Sequence, residues 1–344
     1  MTAANVLVMV HGMTTNPDAC SPFGDYEQFW ERLCASNRQL RGKMVKQIGI
    51  HWGHEIPTLS GSDKSIAKNW GYDQSTHGGV QKDEELTYAQ KVLGNRVNYD
   101  AVRTDPDPNN ILLPGLFGIG TEIGLPVIRS KLLMPIRENI ILRGFGDAVY
   151  YCSTDGERAV RKTAYKQILT QITQIKSHDT IRLHIVGHSL GVTVAHDLLY
   201  GLFAKDHKPD FVLENQGDPD SEKLFSEWRG KAQSGKLILG SFISCASQIP
   251  LFTMRKQTMV DILYNDGLFH AEDIGIVGSD IRWINFYDID DMLGFPTRRL
   301  YTPNVAIREI QVDCGDTPEG AHMGYWENET VIRETAQLLY QNCG

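Results

Sequence analysis

The chain lacks a basic excess, any metal-ligand spacing and any long unbroken apolar run, and each absence removes a class of function. Its 344 residues carry 34 Lys and Arg against 42 Asp and Glu, a net charge of -8. That balance disfavours a nucleic-acid surface and offers no attraction to anionic lipid. Cysteine is sparse: the six (Cys20, Cys34, Cys152, Cys245, Cys314, Cys343) form no C-x-x-C, and no H-E-x-x-H occurs, so no metal site is expected. Residues 1–5 have no basic n-region, which argues against a signal peptide. The thiols are accordingly expected to be reduced in a cytoplasmic protein, with the sequon Asn328-Glu329-Thr330 incidental. Repeats and low-complexity tracts are absent. Gly115, Gly118, Gly120 and Gly124 do not form G-x-G-x-x-G after a strand, so no nucleotide site is expected.

The sequence does contain a strand-turn-helix with a serine at its apex. Residues 181–186 are an apolar, β-rich run, Gly187-His188-Ser189-Leu190-Gly191 follows, and residues 192–204 have helical composition. Glycines two positions either side let a strained turn pass close to its neighbours and hold a hydroxyl above the sheet. Ser189 is therefore a candidate nucleophile, with helix capping as its bland alternative. Elsewhere, residues 5–10 read as a buried parallel strand ending in His11-Gly12. Residues 281–287 read as a late strand running into Asp288, Asp290 and Asp291. Residues 305–312 read as the last strand, followed by a loop with His322 and a closing helix over about residues 327–340. Nucleophile, acid, histidine is the chain order of α/β-hydrolases.

On these motifs the chain resembles a bacterial α/β-hydrolase of the serine esterase/lipase kind. The resemblance covers both ends and most of the middle, including a strand at 237–243 and a pocket-lining segment from Ser247 to Phe252, with Pro250, Leu251 and Phe252 as substrate contacts. It implies an α/β fold with a mostly parallel sheet of about six or more strands, flanked by helices. It also implies an oxyanion hole from the backbone N–H groups of Met13 and Leu190, with His11, Gly12 and His188 beside the substrate. Of the acids, Asp291-Met292-Leu293 fits the family's pattern best, and Asp288 and Asp290 stay open. His184 and His196 read as packing residues, whereas His51 and His54 either line the pocket or are structural. The expected chemistry is ester cleavage through an acyl-enzyme, with His322 as base, Asp291 orienting it and no cofactor. The same triad serves phospholipases, thioesterases, amidases and acyltransferases, and a non-catalytic scaffold retaining the fold is a further alternative.

Residues 1–53 and 145–344 make up the expected hydrolase core, and 54–144 an insertion. Its apolar half, 111–142, is broken by Pro114, Pro126, Pro135, Glu122, Arg129 and Lys131. A membrane span needs about 18 nearly uninterrupted apolar residues. A helical cap or lid shielding an acyl pocket is expected instead, allowing at most a transient contact with a lipid surface. The expected partner is a small-molecule or lipid ester. Residues 205–236, polar and charged, are expected to form a surface loop.

Overall fold

The computed structural model describes residues 3–12, 25–50, 52, 151–206, 218–265, 267–303 and 306–344. The expected cap at 54–144, Met13, His51 and His54 lie outside these. The described chain forms one all-parallel six-stranded sheet with helices on both faces, an α/β fold.

The strands are β1 (Ala4–Val10), β2 (Met44–Ile50), β3 (Ile181–His188), β4 (Leu237–Cys245), β5 (Trp283–Tyr287) and β6 (Ile307–Gln311), in the order β2-β1-β3-β4-β5-β6. Every residue of β1 is buried. Val6, Val8 and Val10 face one core layer and Leu7 and Met9 the other, the two-residue alternation of a strand covered on both sides.

One layer packs beneath α1 (Asp25–Ser36) and the closing helix α8 (Glu329–Asn342), through Phe29, Leu33, Val331 and Leu339. The other packs beneath α2 (Thr154–Thr173), α3 (Leu190–Phe203) and α4 (Pro219–Gln233), through Tyr165, Ile168, Leu198, Phe225 and Trp228. Fully burying side chains of this size stabilises the fold by about 1.5–3 kcal/mol each. Shorter helices α5 (Ile249–Thr253), α6 (Gln257–Asn265) and α7 (Pro318–Met323) lie in the connections after β4 and β6.

Two expectations need correction. The segment 205–236 is not simply a surface loop, because it contains the fifteen-residue α4. Asp218 caps that helix by accepting the Ser221 N–H, Pro219 occupies its first turn, and Phe225 stacks on Tyr165 at 5.7 Å. His322 stands not in a loop but near the end of α7, which Thr317 caps through the Gly320 N–H.

Candidate active site

The strand order reverses between β1 and β3. The chain builds β2 on one side of β1, then returns to add β3 and its successors on the other. In open parallel sheets the crevice at such a reversal, beyond the carboxyl ends of the strands, is where ligands bind. Here those ends are His11-Gly12 and His188-Ser189.

Ser189 occupies the turn between β3 and α3 with φ 54° and ψ −129°, a conformation that costs a non-glycine residue about 1–3 kcal/mol. Its neighbours hold it there. The Ser189 N–H donates to the Cys245 carbonyl at the end of β4, 2.9 Å away. A Cβ on Gly191 would stand 2.2 Å from the His11 carbonyl oxygen, so only glycine lets α3 start against the end of β1. Gly12 is equally close to the serine, since a Cβ there would lie 2.5 Å from Ser189 Cβ. Because α3 begins at Leu190, the Leu190 N–H belongs to the first turn, whose donors have no intrahelical partner.

Three of the singled-out residues meet. His322 Nε2 is 3.0 Å from Ser189 Oγ, and His322 Nδ1 is 2.9 Å from Asp291 Oδ1. A carboxylate only accepts, so Nδ1 carries the ring proton and Nε2 is left to accept from the serine hydroxyl. Burial alone would raise the Asp291 pKa. The hydrogen bond and charge of His322, the Leu293 N–H and the Tyr325 hydroxyl outweigh it, and the carboxyl is held below its usual range. Comparisons of the chain with protein families, curated proteins and solved structures found no match.

The other aspartates do different work. Asp288 is buried and accepts the N–H groups of Asp290 and Cys314, tying the loop after β5 to the chain after β6. Asp290 is exposed. His188 donates from Nε2 to the His322 carbonyl, 2.7 Å away, and its ring lies 5.0 Å from the His322 ring. Burial, then the neighbouring His322, lowers its pKa to about 3, so it stays neutral. His11 stacks on Trp52 at 5.5 Å, and the Trp52 indole N–H donates to the His11 carbonyl. Of the expected substrate contacts on α5, Leu251 is exposed, Pro250 half-buried and Phe252 buried edge-on against Tyr151. His184 and His196 are buried, bonded to Ser241 and Tyr301 respectively.

Sequence reading missed three features, although one of the residues involved, Gln248, lies in the segment it expected to line the pocket. Tyr325 accepts the Asp288 N–H and donates to Asp291 Oδ2 at 3.0 Å. Gln248 donates from Nε2 to Ser189 Oγ at 3.0 Å. Its signal was a polar residue just past the end of a mostly apolar strand, at the same end of the sheet as the serine. The third is a buried ionic cluster behind α3: Arg161 pairs with Glu157 and Asp197, Arg255 with the same two carboxylates, and Lys256 with Glu157. Burial would raise the Asp197 pKa, but the guanidinium groups of Arg255 and Arg161 hold it well below the usual carboxylate range. Among the described residues, no group of three or more His, Cys, Asp or Glu side chains is placed to hold a metal ion. No helix among them is long and apolar enough to cross a membrane.

Proposed function

We propose that this protein is a serine hydrolase of the α/β-hydrolase kind that cleaves carboxylic esters through an acyl-enzyme, an esterase or lipase for apolar acyl groups. One observation carries the reading: a serine in a strained turn above the switch point, linked by two hydrogen bonds of 3.0 and 2.9 Å through His322 to an ionised, buried Asp291.

In this mechanism His322 takes the Ser189 proton as Oγ attacks the ester carbonyl. Asp291 keeps the imidazole in the required tautomer and stabilises the imidazolium without being protonated itself. The Leu190 N–H, at the positive end of α3, receives the developing oxyanion, and the Met13 N–H is its proposed partner. One such donor lowers the barrier by about 3 kcal/mol. His322 then protonates the departing alcohol, and water it activates cleaves the acyl-enzyme.

Apolar residues beside the site support the acyl preference: Ile289 and Met292 flank the acid, Met323 follows the histidine, and all three are exposed.

The test is fluorophosphonate labelling alongside hydrolysis of p-nitrophenyl esters from acetate to palmitate, with wild type and Ser189→Ala in parallel. Wild type should be labelled and active, with the chain-length optimum separating esterase from lipase, and the variant should be neither. A wild type that resists the probe and hydrolyses nothing would refute the reading.

A further inference from the structure

The side-chain amide of Gln248 has two ends, and only one is satisfied. Its Nε2 donates to Ser189 Oγ at 3.0 Å. The orientation follows from chemistry: the serine proton goes to His322 Nε2, so toward Gln248 the Oγ can only accept, and the NH2 group must face it. Oε1 then points elsewhere, and it is buried with no hydrogen-bond partner. Gln248 and Ser189 are each 1% exposed, so the amide is shielded from water along with the hydroxyl it touches.

Resting on the serine-hydrolase reading, we propose that Gln248 is a positioning and specificity residue whose Oε1 accepts a hydrogen bond from an N–H or O–H on the acyl part of the substrate. Standard amide geometry puts Oε1 about 2.2 Å from Nε2, hence within about 5 Å of Ser189 Oγ. A donor reaching it lies within a few bonds of the carbonyl carbon under attack. The acyl side is indicated because His322 must face the leaving group it protonates, and Gln248 approaches Oγ from a different side. Substrates with an α-hydroxyl or α-acylamino group fill the empty acceptor. Plain alkyl acyl groups leave it buried and unpaired, so they should still be cleaved but more slowly than esters that carry such a donor on an otherwise apolar acyl chain.

The experiment measures protection of Ser189 from fluorophosphonate labelling by two boronic acids that add reversibly to the serine. One is acetamidomethylboronic acid, with an N–H next to the boron-bearing carbon. The other is 3-oxobutylboronic acid, with CH2 in place of that N–H. Intrinsic reactivity at boron cancels when the affinity ratio of the pair is compared between wild type and variants. Gln248→Met, lacking both ends, should lower the N–H probe's relative affinity about tenfold. Gln248→Glu keeps an acceptor oxygen but loses the donor, so it should retain the preference while labelling more slowly. Gln248→Leu repeats the Met comparison, and because only competent enzyme is labelled, partial misfolding does not alter the ratio. A ratio unchanged in Met and Leu variants of a protein that is labelled overturns this inference alone. A wild type that is not labelled overturns the hydrolase reading and this inference with it.

Discussion

The residue before the candidate nucleophile holds the backbone of the candidate base: His188 Nε2 donates to the His322 carbonyl, 2.7 Å away across 134 positions of sequence. One turn thus orients the serine and buttresses the histidine that serves it. His188→Ala should leave the elbow in place but loosen α7, lowering kcat about tenfold with a smaller change in KM. Steady-state kinetics on the best ester check this, and unchanged kcat would remove His188 from the positioning network.

The three aspartates after β5 should separate cleanly. Asp291→Asn removes the carboxylate that fixes the His322 tautomer and should reduce kcat about 10⁴-fold, as loss of a triad acid does. Asp290→Asn, at an exposed side chain, should stay near wild type. Asp288→Asn should act mainly on stability, because its carboxylate accepts the Cys314 and Asp290 N–H groups. Comparing kcat and melting temperature across the three variants is sufficient, and a larger kcat loss at Asp288 than at Asp291 would reassign the acid.

The ionic cluster behind α3 is a stability element. Asp197 accepts from Arg161 at 2.8 Å and from the Tyr151 hydroxyl at 2.7 Å, and it pairs with Arg255. Asp197→Asn leaves two buried guanidinium groups short of a countercharge and should destabilise the fold by about 3–5 kcal/mol. Urea unfolding measures it. A loss below 1 kcal/mol would mean that Glu157 alone balances the cluster.

Acid should unfold the protein partly through two histidines. Burial lowers both His184 and His188 to about 3, reinforced at His184 by Arg182 and Arg282. Above the ordinary value of 6.5 both rings are neutral folded or unfolded, so neither contributes. Below it the unfolded chain binds a proton that the folded chain refuses until pH about 3. Stability should therefore fall as pH drops through that window, by up to about 1.4 kcal/mol per pH unit for each ring. His184→Gln should flatten the slope between pH 6 and 4 in urea titrations. Parallel slopes for wild type and variant would contradict the assignment.

The strands around the serine were legible because β1, β3 and β4 are mostly apolar on both faces, and a short β-rich apolar stretch bounded by glycine or a turn has few other readings. Helix α4 was not. Its buried face is narrow, chiefly Phe225 and Trp228, and the charges around them dominate the composition. The Asp218-Pro219 start was the better cue. Helix α7 has six residues, too few for a period to show. The acid could not be chosen from a loop in which three aspartates share four positions. What separates them is tertiary: His322 arrives at Asp291 Oδ1 from beyond β6. The bond of Gln248 to Ser189 was hidden for the same reason, since its partner lies 59 residues away.

The position of His322 also has a consequence in time. In chain order β1, β3 and the serine turn are synthesised well before β5, β6 and α7. Until then Ser189 has neither Asp291 nor His322 within reach, and its hydroxyl is no more reactive than any other alcohol in the cell. On the proposed reading, the Ser-His-Asp arrangement therefore stays incomplete until nearly the whole of this sequence has emerged.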